Sequence, residues 1–225
     1  SDGIFMAYRR AAAWNPVEEG GETEGLRHFL TQMPKSDTAS HGQMHDYCSP
    51  HSDVLGWVIE RVGNDSFANQ FSTYILQPCG ASHEGYITLD TYGAPRVSGG
   101  MCLGLYDLLL IGEMVRNRGY ANGREVVPAS WIDDIFAVRD NHIWRGQNQP
   151  EGPRLFTNGN YRSLWYQTGF KDQEICAIGI HGQWLWINPQ KQLVIVKMAS
   201  HDHEVDSTTD RLMLAAFAAI GDALS

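Results

Sequence analysis

The sequence predicts an α+β protein, and three observations carry that reading. Apolar residues recur at helical spacing through much of the chain as far as Phe136. From Tyr161 to Ala199 the period changes to two, in segments rich in Trp, Ile and Val. An amphipathic helical stretch, Ser207 to Leu224, then closes the chain. Helices first, then antiparallel strands and a last helix, is an α+β order. It divides the chain into a helical lobe, residues 1–160, and C-terminal strands with their closing helix, residues 161–225.

Taken in order, Phe5–Trp14 reads as a helix, because Met6, Ala7, Arg9, Arg10 and the alanines after them form helices readily. Asn15-Pro16 and the Glu/Gly run from Glu18 to Gly25 break it. Leu26–Met33 is a short helix, and Pro34–Gln43 a loop. The next helix carries Val54, Leu55, Val58, Ile59 and Val62 at spacings that predict one buried face. Ser52 or Asp53 is its expected N-cap, and Pro50 favours an extended Ser49. Tyr47 would then stand on an extended segment five or six residues ahead of the helix.

Ser66–Ile75 is another helix, Gly85–Asp90 a short strand, and Tyr92–Pro95 a turn. Leu103–Asn117 and Trp131–Phe136 are helical, and Asn141–Asn160 is a long loop rich in Asn, Gln, Gly and Pro. Strands are expected at Ser163–Thr168, Ala177–Ile180, Gln183–Asn188 and Leu193–Ala199. Asn188–Lys191 forms the hairpin turn between the last two. Leu212, Leu214, Ala215, Phe217 and Ile220 of the closing helix would lie on the sheet.

With 225 residues and 43% hydrophobic content, the chain can bury a substantial core. The formal charge of −9 argues against a nucleic-acid partner, which would require clustered Lys and Arg. No apolar run of ~18 residues is present, so no membrane span is expected. The four cysteines, Cys48, Cys79, Cys102 and Cys176, show neither C-x-x-C pairing nor metal spacing. Reduced, buried thiols are expected, and with them a reducing, cytoplasmic location. His41 and His45 are four apart, but their loop surroundings and the lack of a third ligand argue against a metal; neither metal nor cofactor is expected.

Tyr47-Cys48-Ser49 followed by Asp53–Arg61 resembles the Tyr-x-Asn/Ser motif of the penicillin-recognising serine hydrolases, which include class C β-lactamases, D,D-peptidases and related esterases. Asn122–Trp131 and Ile178–Pro189 resemble further stretches of the branch named after 6-aminohexanoate-dimer hydrolase, in the same order. The resemblance covers the chain from about Tyr47 onward. It implies a β-lactamase/transpeptidase-like fold, with the Tyr motif on the helical lobe and the strands forming the other wall of a cleft.

It also implies the site. Serine hydrolysis needs a nucleophile, a base and an oxyanion hole. Tyr47 takes the place of the catalytic general base or acid. The backbone N–H of Ile180 takes that of one oxyanion donor, and Gly179, His181 and Trp165 that of substrate-binding residues. Read from the residues alone, Tyr47 could equally rim the core, Trp165 could be a core aromatic and His181 a structural histidine. His201-Asp202-His203 receives no role.

Two departures matter. In the resembled family, the nucleophile and an assisting lysine come from Ser-x-x-Lys. Here Gln32, Thr168, Asn188 and Val194 stand three residues before Lys35, Lys171, Lys191 and Lys197, so the motif is absent from these 225 residues. Without that cation Tyr47 is expected to be an ordinary phenol, a poor base at neutral pH. In addition, Ser49 replaces the β-lactamase Asn, and Ala177-Ile178-Gly179 takes the Lys-Thr-Gly position without a lysine; both point away from penicillins.

The expectation is therefore the C-terminal portion of a serine hydrolase that cleaves a small amide or ester through an acyl-enzyme, and that is inactive by itself. A natural truncation is the alternative account of its length. The competing function is a non-catalytic binding or regulatory protein of the same fold that has lost its nucleophile. The partner expected is a small-molecule substrate, with a homodimer left open.

Overall fold

The computed structural model describes residues 2–16, 21–35, 40, 42–43, 45–138, 140, 142–145 and 155–224. His41, much of the expected 34–43 loop, part of the Glu/Gly break and residues 141 and 146–154 of the long loop lie outside them. The described chain falls into two compact units that interleave along the sequence. One comprises residues 1–39, 47–73 and 83–103; the other comprises 40–46, 74–82 and 104–225.

The first unit opens with α1 (Asp2–Ala11) and α2 (Leu26–Gln32), which meet around Tyr8, Ala11, Ala12, Leu26 and Phe29. Helix α3 (Ser49–Gly63) follows. Its N-cap is Cys48, with Pro50 in the first turn, where a missing N–H costs no intrahelical bond. This corrects two expectations. Ser49 is helical rather than extended, and Asp53 lies inside the helix rather than capping it. Tyr47 thus precedes the helix by two residues.

The larger correction concerns the buried face of α3. Its buried residues are Pro50, Asp53 and Gly56, while Val54, Leu55, Val58, Ile59 and Val62 are all exposed. Gly56 permits a close approach to Val97, since a Cβ there would sit 2.3 Å from Val97 Cγ2. On the same side, Arg27 pairs with Glu60 at 2.6 Å and lies over the Trp57 ring. Polar anchors and a small residue hold this helix, so apolar spacing named the wrong face.

The expected Ser66–Ile75 helix is α4 (Phe67–Phe71), capped by Ser66, running into a π-helical turn at Ser72–Leu76 and α5 (Gln77–Cys79). Tyr86–Ile87 (β1) pairs antiparallel with Met101–Cys102 (β2). Between them Asp90 organises the expected turn, accepting from the backbone N–H groups of Tyr92 and Ala94, each at 2.8 Å, and from Leu26 at 2.7 Å.

The second unit is built on a five-stranded antiparallel meander: β5 (Asn160–Arg162), β6 (Trp165–Gln167), β7 (Ile175–Gly179), β8 (Gln183–Asn188) and β9 (Leu193–Lys197). The sequence predicted four strands. The fifth, β5, joins β6 through Ser163-Leu164, both at positive φ, the twist a two-residue hairpin needs. Neither residue is glycine, so the usual sequence signal is missing. A similar turn at Asn122-Gly123 joins β3 (Tyr120–Ala121) to β4 (Arg124–Glu125), here with that signal.

Alternation along β7 and β8 sends Ile175, Leu185 and Ile187 to one core and Cys176, Trp184 and Trp186 to another. Helices α6 (Leu105–Arg116) and α7 (Ala129–Phe136) supply Met114, Val115, Ile132 and Ile135 to the first core. Trp144 of α8 (His142–Arg145), Phe156 and Phe217 join the second.

Phe217 belongs to α9 (Ser207–Ala223), whose N-cap Asp206 accepts from the N–H groups of Thr208 and Thr209. The packed stripe of α9 is Asp210, Met213, Leu214, Phe217 and Gly221, at helical spacing. Leu212, Ala215 and Ile220, expected on the sheet, face away from it and are exposed.

None of the four cysteines forms a disulfide: Cys79 and Cys176 are buried, Cys48 and Cys102 half-buried. Among the described residues, no helix is long and apolar enough to cross a membrane.

Candidate functional site

Tyr47 sits in the first unit on the extended segment ahead of α3, and is 49% exposed. A side chain so placed does not fill a core; its position is set by the helix that follows it. That helix is fixed by Asp53. Tyr8 donates from its hydroxyl to Asp53 Oδ2 at 2.6 Å, and the Ser98 N–H donates to Oδ1 at 2.9 Å. The Tyr8 and Ser98 hydroxyls also meet at 2.6 Å.

Burial pushes the Asp53 carboxyl above its ordinary range, opposed by the bonds from Tyr8 and Ser98. Burial and the neighbouring Asp53 carboxylate raise the Tyr8 phenol, which stays a donor. No local pattern marks this anchor, since Asp53 pairs with residues 45 positions away on either side.

His45, two residues before Tyr47, belongs to the second unit. There its ring meets Trp144 and Tyr161 edge-on, with centroids 5.3 and 5.2 Å away. Burial lowers its affinity for a proton.

The second unit brings Gly179, Ile180 and His181 together where β7 ends. Gly179 is extended (φ −110°, ψ 156°) and exposed, with Gln183 Cβ 3.0 Å from where its own Cβ would lie. The ladder closes at the Gly179–Gln183 pair, and Ile180, His181 and Gly182 turn the chain. His181 holds a left-handed conformation (φ 60°, ψ 23°), and Gly182 also has positive φ.

The His181 N–H donates to the Glu204 carbonyl at 3.0 Å, and its carbonyl accepts from the His201 N–H at 3.2 Å. Its Nδ1 lies 2.8 Å from the His201 carbonyl, which can only accept, so Nδ1 is the donor. His181 is thus tied to the loop after β9. Trp165, on β6, is half-buried against the core that contains Ile175 and Leu185.

Residues 201–206 pack beside this turn, and the first three of them, His201-Asp202-His203, carry no role in the sequence reading. His201, Glu204, Val205 and Asp206, with Ile178, Ile180 and Asp210, line a hollow of about 20 Å³, room for one water molecule. Burial raises the Asp210 carboxyl. Among the described residues, no group of three or more His, Cys, Asp or Glu side chains could hold a metal ion.

Chemically, these features offer an exposed phenol on a fixed segment in one unit. The other supplies a strand end with an exposed glycine and a braced turn.

Comparison with known proteins places them in a family. The family model described as Beta-lactamase matches residues 5–220. A 6-aminohexanoate-dimer hydrolase of Paenarthrobacter ureafaciens is 31% identical over 195 residues, covering 87% of this chain and 48% of that protein. The chain therefore spans about half the length of the curated relative it matches.

Among solved structures, a candidate 6-aminohexanoate-dimer hydrolase from Bacillus anthracis superposes with a TM-score of 0.84 at 20% identity, covering 98% of this chain and 54% of that one. A candidate beta-lactamase from Bacteroides dorei DSM 17855 gives 0.59 at 18% identity, over 81% and 58%. Both share the fold expected from the Tyr47 motif.

Proposed function

The chain belongs to the Beta-lactamase family, and on that premise we propose that it is part of a serine hydrolase cleaving a small amide or ester through an acyl-enzyme. In this reading Tyr47 is the general base, and the Ile180 N–H is one donor of the oxyanion hole. Gly179, His181 and Trp165 contact substrate. The observation that carries the reading is the exposure of Tyr47 on a segment fixed by the following helix.

The chemistry runs in two halves. A serine Oγ attacks the carbonyl carbon while its proton passes to the ionised Tyr47 oxygen, a phenolate that becomes a phenol. The Ile180 N–H stabilises the oxyanion as the C–N or C–O bond breaks, and the leaving amine or alcohol takes the proton. Water then repeats the sequence on the acyl-serine and releases the acid. A phenol with ordinary pKa of ~10 is a poor base at neutral pH, so the reaction requires a cation beside Tyr47.

Neither a Ser-x-x-Lys serine nor its lysine occurs in the 225 residues. We assign both to a part of the protein outside them, a reading supported by the 48% coverage of the Paenarthrobacter relative. That relative is named a hydrolase of the 6-aminohexanoate dimer, which favours a small amide as the substrate class here.

The test is labelling of the full-length protein with a fluorophosphonate, read by peptide mass spectrometry alongside hydrolysis of a p-nitrophenyl ester. The expected result is one labelled serine, outside these residues and three before a lysine, with hydrolysis lost on labelling. Label on a serine within residues 1–225 would mean the site is misplaced. No label and no hydrolysis would leave the non-catalytic binding protein.

A further inference from the structure

The turn after β7 is held by a set of contacts that the proposed chemistry does not yet use. Lys197, the last residue of β9, donates from Nζ to the Gly182 carbonyl at 2.9 Å. The same ammonium lies 3.2 Å from His201 Nε2. An ammonium can only donate, so Nε2 accepts and the His201 proton sits on Nδ1.

The His201 ring lies directly against Gly182, where a Cβ would fall 2.4 Å from His201 Cε1. Position 182 therefore excludes a side chain twice, by its positive φ and by the ring upon it. Gln183 completes the brace. Its amide accepts from the Ala199 N–H at 3.3 Å and donates to the Ala199 carbonyl.

Lys197 and His201 act on Gly182, and the loop after β9 acts on His181, the last two residues of a three-residue turn that begins at Ile180. We propose that Lys197 and His201 are positioning residues for the Ile180 amide, holding the Ile180–Gly182 turn in the conformation that aims this N–H at a developing oxyanion. The proposal rests on the oxyanion role given to Ile180 above. Its chemical logic is that an oxyanion donor works only if it is fixed before charge develops. A displacement of about 1 Å can cost on the order of 10²-fold in rate. A left-handed histidine followed by a glycine is not rigid alone, and the brace from β9 and the following loop makes it so.

The experiment compares variants of the full-length protein in steady-state hydrolysis of a p-nitrophenyl ester, with hydrogen exchange of the 178–184 backbone measured in parallel. Lys197→Met and His201→Ala should each lower kcat by roughly 10–100-fold, with KM changed no more than about twofold, and should speed exchange at 180–182. Lys197→Arg, which keeps a donor for the Gly182 carbonyl, should restore most of the rate. If Lys197→Met does not fold, Gly182→Ala displaces the His201 ring while leaving Lys197 intact, and should give the same split.

Ile180→Pro serves as the reference. It deletes the N–H itself, and the extended Gly179 before it suits a proline. It should cost roughly 10²–10³ in kcat. If Ile180→Pro has that effect while the Lys197 and His201 variants keep wild-type kcat, the positioning role is overturned and the oxyanion role stands. If Ile180→Pro is also without effect, the oxyanion reading falls and the positioning role with it.

Discussion

Strand β8 and helix α3 are both rich in large apolar residues. β8 buries Trp184, Leu185, Trp186 and Ile187 to 4% exposure or less, whereas α3 leaves Leu55 and Val58 about half exposed and Val62 at 83%. The strand is covered on both faces, so every position along it packs. The helix is fixed by one buried carboxylate, a glycine against Val97 and an ion pair, all on its polar side. Apolar content thus locates packing in β8 and fails to locate it in α3, where hydrogen bonds and a close backbone approach hold the element.

The contrast can be broken first at its strongest point. Trp184→Ala empties space between the sheet and Phe217, and should destabilise the protein by about 3–5 kcal/mol in urea titrations, the usual cost of truncating a buried tryptophan. A loss below about 1 kcal/mol would mean that this face is not a packed core.

Asp53→Ala should cost about 1–3 kcal/mol, since it leaves the Ser98 N–H without its acceptor and the Tyr8 hydroxyl with the Ser98 hydroxyl alone. Its pH dependence has a definite sign. The folded-state pKa of Asp53 is raised, so between the ordinary carboxylate range and that raised value the folded state binds more protons than the unfolded. The contribution of Asp53 therefore grows as pH falls through this window and declines as pH rises. Relative to Asp53→Asn, the wild type should gain stability on acidification; the opposite slope in paired urea titrations would contradict the assignment.

The smallest effect is expected on the exposed side of α3. Leu55→Gln and Ile59→Gln should change stability by no more than about 0.5 kcal/mol in this chain. They should also reduce binding of a hydrophobic dye, because they break up an exposed apolar stripe. Destabilisation matching that of a core truncation would show the stripe to be packed.

What could be read from the sequence follows the same division. The position of β8 was legible to the residue because a short run of Trp, Leu and Ile ending at Asn188-Pro189 is a local signal, and the helices α6 and α7 were legible from helical spacing. β5 was not, because its hairpin places Ser163 and Leu164 in a conformation usually marked by glycine or asparagine. The burial of α3 was misread because the residues that hold it come from positions 8, 97 and 98.

Of the candidate site, the Tyr47 and Gly179–His181 stretches were recognisable as motifs. Lys197 and His201 were not, since only the folded turn brings the Gly182 carbonyl within reach of Lys197 and lays the His201 ring against Gly182.

The central claim is that Tyr47 acts on a proton rather than on packing, and the steady-state rate of full-length Tyr47→Phe measures it most directly. The substitution keeps the ring and deletes one oxygen. The account predicts a fall in kcat of roughly 10²–10⁴-fold, the range of general acid–base catalysis, with the melting temperature essentially unchanged. Retention of more than about a third of the wild-type kcat would contradict it, and Tyr47 would then be a surface residue at the start of a helix rather than a base.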